Sequence, residues 1–127
     1  REHFLTCFIA DPVGLHLRHD IGIDNIAWEL DYPHSDSSWP AAPEELARVA
    51  ARYDVPRDDL DKICHRNAMR WYSYDPFAHT PEADATVAAL RTRAAGHDVA
   101  VRSFDKGRFE RTRKGADLGK LARQATA

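Results

Sequence analysis

Trp28-Glu29-Leu30-Asp31-Tyr32-Pro33-His34-Ser35-Asp36-Ser37-Ser38-Trp39-Pro40 is the stretch whose reading decides the fold. A short apolar run over residues 26–30 leads into it and stops abruptly at the Asp31 carboxylate. An aromatic, a proline and a cluster of small polar residues follow. Open and closed α/β folds place their chemistry at the carboxyl ends of buried strands, so an acidic residue there is a candidate functional group. Pro33 forbids the strand from continuing and stiffens the loop that holds the carboxylate.

Working outward towards the amino terminus, residues 4–10 are nearly continuously apolar and include aromatic and β-branched side chains. A strand buried on both faces of a parallel sheet reads in this way. Asp11-Pro12 ends it. Residues 13–20 are expected to form a short helix with Val13, Leu17 and Ile21 on its buried side, and Gly22 breaks the chain before a second strand at 25–30. Strand, helix and strand within about thirty residues make a βαβ unit. Period-two alternation then puts Ala27, Glu29 and Asp31 on one face and Ile26, Trp28 and Leu30 on the other.

Beyond the loop the pattern becomes helical. Pro43 suits a first helical turn, Glu44 and Glu45 complement the amino-terminal dipole, and Leu46, Val49, Ala50 and Tyr53 form a buried stripe. Pro56 opens a second helix with Leu60, Ile63 and Cys64 inward, and Asn67 is expected to cap a third at 68–72. A further helix is expected to start at Thr80-Pro81-Glu82, with Ala83, Val87, Leu90 and Ala94 on one face and Gly96 as its stop. Residues 98–104 suggest an extended arm. Residues 105–127 carry Lys106, Arg108, Arg111, Arg113, Lys114, Lys120 and Arg123 with little apolar content, which predicts a disordered or loosely helical tail.

At 127 residues, 43% hydrophobic and 30% charged, the chain has the size and balance of one soluble globular domain. A formal net charge of -2 argues against nucleic acid or an anionic membrane as the main partner. Cys7 and Cys64 sit in apolar segments without a paired framework, which suits a reducing, cytoplasmic setting. No apolar run approaches the ~20 residues of a membrane span.

The Asp-Tyr-Pro-His at residues 31–34, the Ser/Asp-rich loop and Trp39-Pro40 resemble the final-strand motif of the metal-dependent amidohydrolase superfamily, in its amidohydrolase-2 (decarboxylase-like) branch. The run Ile63-Cys64-His65-Arg66-Asn67-Ala68-Met69-Arg70-Trp71-Tyr72 resembles that family's closing helix, so the resemblance covers about residues 3–78. It implies α/β architecture: the last two strands of a (β/α)8 TIM barrel, then helices packed outside it. A whole barrel needs roughly 250 residues. With Arg1 rather than Met at the start, the chain is therefore expected to be a carboxyl-terminal portion. The expected organisation is a barrel end with closing helices at 1–78, a helix and arm at 79–104, and the basic tail at 105–127.

The resemblance also implies roles. Asp31 would bind a catalytic divalent metal, zinc being the expectation, and accept the proton of the attacking water, in hydrolysis or decarboxylation of a small organic substrate. A metal lowers the pKa of bound water to about 7, and a neighbouring carboxylate can take up the proton. His34 lies where it would reach substrate or donate a proton, with a solvent-facing loop histidine as the alternative. Strand alternation, rather than the resemblance, would point Glu29 into the barrel one layer deeper, where the family's motif carries a small residue, as a group supporting Asp31, as a neutral acid or as half of an ion pair. Ser35, Asp36 and Ser37 are expected to bond backbone groups of the turn, and Trp39 and Pro40 to pack.

The family's His-x-His pair is absent: His16-Leu17-Arg18-His19 has the wrong spacing. A catalytic metal needs about three protein ligands and an open position. The expected partners therefore include the upstream part of the barrel, alongside possible self-association. His16 and His19 read as an exposed, unliganded pair, Cys64 as core, and Asp11 as a weak candidate for lining the site. Two rival classes remain open. One is a non-catalytic α/β interaction module using the basic tail. The other is a helix-turn-helix DNA binder over 45–71, disfavoured by Asp58, Asp59 and Asp61, which phosphates repel.

Overall fold

A computed structural model describes residues 3–34 and 37–99 of the chain. Strand β1 (Thr6–Phe8) pairs in parallel with β2 (Ile26–Trp28), with Thr6 opposite Ile26, Cys7 opposite Ala27 and Phe8 opposite Trp28. Both strands are shorter than their apolar runs. The last ladder bond runs from the Glu29 N–H to the Phe8 carbonyl, at 2.9 Å, and the indole of Trp28 donates to the Ile9 carbonyl at 3.1 Å. Regular pairing therefore stops where the two chains turn away.

The βαβ crossover is present, with a corrected interior. Helices α1 (Pro12–His16) and α2 (Arg18–Ile21) are separated at Leu17. Asp11 caps α1 by accepting from the Gly14 N–H at 2.9 Å, so it terminates a helix rather than lining a site. The expected buried side is reversed: Val13, Leu17 and Ile21 are exposed, and Leu15 is the residue that is buried. The break at Leu17 rotates α2 out of phase with α1, so a stripe drawn through both does not exist. A 3-10 turn (Ile23–Asn25) then delivers the chain to β2.

Helix α3 (Ala42–Arg52) follows the sequence expectation, burying Leu46, Val49 and Ala50, with Tyr53 partly buried behind them. Leu15, Ile26, Leu46, Val49 and Ile63 make the core, and Phe8, Ile23, Trp28 and Tyr53 pack on its margin.

Pro56 precedes α4 (Arg57–Asp61), which runs without interruption through a π-helical turn (Lys62–Arg66) into α5 (Asn67–Tyr72). The π turn packs on β2. Two expectations fail in this segment. Asn67 is not a cap, because Arg66 before it is already helical; its side chain reaches instead to β2. Cys64 is an exposed residue rather than core, since the wider turn leaves Ile63 to fill the interior.

Ser73, at φ 50°, ends α5 in a left-handed conformation. Two 3-10 turns (Pro76–Ala78 and Glu82–Asp84) precede α6 (Val87–Arg93), which starts later than expected because the Thr86 hydroxyl, accepting from the Ala89 N–H, supplies the cap. Gly96 takes φ 94°, the left-handed position expected of a helix stop. Arg91 ties α6 back to the Glu44 carboxylate and the Pro40 carbonyl. The basic tail, and all but the first two residues of the expected arm, lie outside the described residues. No helix among the described residues is long and apolar enough to cross a membrane.

Candidate functional site

The site is built where β2 gives out. Past Glu29 the backbone loses its ladder partner, and Asp31 takes φ 53°, a left-handed conformation that aspartate tolerates better than most residues. This reverses the chain into a four-residue turn closed by the His34 N–H donating to the Asp31 carbonyl at 2.8 Å, around a cis Tyr32-Pro33 bond. The turn folds the imidazole over its own origin. His34 Nδ1 lies 2.6 Å from Asp31 Oδ2, with the Asp31 side chain one-third exposed and the His34 ring mostly so.

The rest of the loop fixes this turn from below. Ser37 is buried, donates its hydroxyl to the Leu30 carbonyl at 2.8 Å and accepts from the Trp39 N–H at 3.3 Å. The Tyr32 and Trp39 rings meet with centroids 5.2 Å apart. Ser37 and Trp39 thus do the bonding and packing expected of them, while Ser35 and Asp36 lie outside the described residues.

Glu29 is exposed rather than buried a layer below Asp31, because it sits one residue past the end of β2. The positive φ at Asp31 also breaks the alternation that would have carried the two carboxylates to one face. Glu29 does act on Cys7: partial burial, then the nearby Glu29 carboxylate, push the Cys7 thiol above its ordinary value.

The other candidates are engaged elsewhere. His16 packs against Tyr53 at 5.8 Å, and His19 Nε2 lies 3.2 Å from Asp59 Oδ2, so the two rings face different partners. Asp59 also takes the Arg18 guanidinium at 2.7 Å.

One contributor to the site escaped sequence reasoning. Asn67, almost fully buried, donates one amide hydrogen to the 3-10 turn, at the Ile23 carbonyl (2.7 Å), and the other to the first residue of β2, at the Ile26 carbonyl (2.8 Å). It anchors the base of the strand whose other end carries Asp31. A polar residue between Ile63 and Met69 on a helix facing a strand was the available signal.

Among the described residues no three or more His, Cys, Asp or Glu side chains gather where they could hold a metal ion. Asp31 and His34 offer two donors, and one nitrogen of His34 is already turned onto Asp31. A catalytic metal takes about three protein ligands. The described residues alone therefore do not fit one.

A parallel strand pair joined by a helical crossover, with a braced carboxylate where the strand ends, defines an α/β unit of the type that carries chemistry at strand ends. The sequence profile of the amidohydrolase-2 family, described as Amidohydrolase, matches residues 1–74, more than half of the chain, and the chain belongs to that family. The matched region contains both strands, the Asp31 loop and all of α5. No curated protein matches the chain.

Proposed function

We propose that this chain supplies the late acidic corner of the active centre of a metal-dependent hydrolase or decarboxylase that acts on a small organic substrate. In this reading the chain is the carboxyl-terminal portion of a (β/α)8 barrel. Asp31 is the carboxylate that ligates the divalent metal, with zinc as the expected ion, and accepts the proton of the attacking water. The remaining ligands come from outside this chain.

The observation that carries the reading is the placement of Asp31. It stands at the carboxyl end of a parallel strand, partly exposed, with its backbone fixed by the 31–34 turn. A general base must be held within reach of the proton it takes, and a braced carboxylate at a strand end meets that need. Membership of an amidohydrolase family supports the reaction class.

The test is to express the chain together with the coding sequence immediately upstream and compare Asp31→Asn with the unchanged protein. The substitution keeps side-chain volume and removes the ability to take up a proton. Turnover should fall by about 10²–10⁴, the scale of general acid–base contributions, and bound metal measured by atomic absorption should fall with it. Near-normal turnover in the variant would overturn the assignment.

A further inference from the structure

We infer that His34 is a positioning residue for Asp31: its ring holds the carboxylate in one orientation and leaves the second oxygen, Oδ1, directed to the reacting groups. The inference rests on the functional reading of Asp31 above and extends it by giving the neighbouring histidine a role through Asp31 rather than on the substrate.

The geometry has three parts. First, Nδ1 and Oδ2 are 2.6 Å apart, well within hydrogen-bond distance and slightly closer than the ~2.7–2.9 Å usual for charge-assisted N–H···O bonds. A carboxylate can only accept, so Nδ1 carries the hydrogen and donates it. Second, the ring is mostly exposed whereas the Asp31 side chain is one-third exposed. The ring contributes little to the core, and its Nδ1 is directed at the carboxylate. Third, the backbone bond from the His34 N–H to the Asp31 carbonyl, at 2.8 Å, joins the same two residues. Main chain and side chain thus close two rings over one turn.

An aspartate side chain has two rotatable bonds, and in a solvent-facing loop it would populate several staggered positions. A reacting carboxylate that wanders loses the benefit of orientation, which is worth more than the strength of any single contact. The Nδ1 hydrogen bond selects one rotamer in advance, as the partners of reactive side chains do when they lock the geometry of a site.

The experiment uses the full chain, labelled with ¹⁵N and ¹³C, and needs no substrate. Nitrogen shifts of the neutral His34 ring should show the Nδ1–H tautomer, and three-bond couplings of Asp31 should show a single χ1 rotamer. His34→Ala should average those couplings. His34→Asn, whose side-chain N–H stands close to the position of Nδ1, should restore the single rotamer. An Nε2–H tautomer in the unmutated chain, or a single Asp31 rotamer that persists in His34→Ala, would overturn the inference. The tautomer is read without any variant, so the test stands even where a variant fails to fold. Because none of these readouts depends on turnover, loss of the positioning role and loss of the proposed activity are seen separately.

Discussion

Asn67 and Ile26 are joined by a 2.8 Å hydrogen bond from side-chain amide to main-chain carbonyl, although 41 residues separate them in sequence. The second amide hydrogen goes to the Ile23 carbonyl, so both donors are used on the two ends of one short approach to β2. Asn67→Ala removes both at a site that is almost dry; the Ile23 carbonyl keeps its place in the 3-10 turn, and the Ile26 carbonyl loses its amide donor. Losing the bond to Ile23 costs about 0.5–1.5 kcal/mol and leaving the Ile26 carbonyl unpaired about 1–3 kcal/mol, so the variant should lose about 1.5–4.5 kcal/mol of stability in urea unfolding. Asn67→Asp should be at least as damaging, because a carboxylate has no hydrogen to offer two carbonyls.

Ile63 is fully buried at the centre of the core. Ile63→Ala should destabilise by about 2–5 kcal/mol and Ile63→Val by about 0.5–1.5 kcal/mol, the difference reporting the cavity left behind. Denaturant midpoints with an unchanged slope would check that the loss is one of packing.

Two arginine–aspartate pairs with the same 2.7 Å separation should behave differently. Arg18 and Asp59 are both about seven-eighths buried, whereas the Arg57 side chain that reaches Asp61 is 84% exposed. Asp59→Ala takes the carboxylate from a largely buried guanidinium, leaving it the Leu15 carbonyl at 3.1 Å, and should cost about 1.5–3 kcal/mol, as for hydrogen bonds to charged groups. Arg57→Ala removes an exposed i,i+4 pair and should cost no more than about 0.5 kcal/mol. Thermal unfolding of the two variants side by side makes the comparison.

Cys64 gives a pH-dependent prediction. The residue as a whole is exposed, yet burial around its thiol, reinforced by Asp61 and partly offset by Arg57, pushes it up to about 11. Iodoacetamide alkylation at Cys64 should therefore rise about tenfold per unit from about pH 8 to about pH 10 without a plateau, since the thiolate is the nucleophile. A free thiol titrates near 8.5, so between there and about 11 the unfolded chain releases a proton that the folded chain keeps. This contribution to stability is intact below about pH 8.5 and is lost as pH rises through that window. Urea midpoints at several alkaline pH values should fall less steeply in Cys64→Ala than in the unchanged chain.

Much of this was legible in the sequence. An apolar run ending at Asp31, a proline two residues later and the amphipathic stripe of α3 each carry a local signal that the fold obeys. What was not legible depends on phase and on distance. The stripe through Val13, Leu17 and Ile21 presumed one continuous helix, whereas the helix breaks at Leu17 and α1 turns Leu15 inward instead of Val13. Asn67 looked like a cap because its chemistry suits caps, whereas its partners are carbonyls more than forty residues away. The contact of His34 with Asp31 required the left-handed turn at Asp31, and nothing in a residue pattern announces the sign of φ at an aspartate.

The π-helical turn Lys62–Arg66 also has a bearing on how this segment tolerates change. It takes up one residue more than an α-helical turn requires. Removing one residue within it would let the turn close to a plain α-helical turn with α4 and α5 nearly in their present phase, whereas a deletion within α4 itself would swing everything downstream by about 100°, the rotation per residue. After such a deletion in α4, Asn67 would leave the carbonyls it anchors, and the change would act as a loss of β2. Length is therefore more forgiving in this turn than in the α-helical residues before it: loss of an exposed residue such as Cys64 should be absorbed there, provided Ile63 keeps its place in the core, where a deletion in α4 is not.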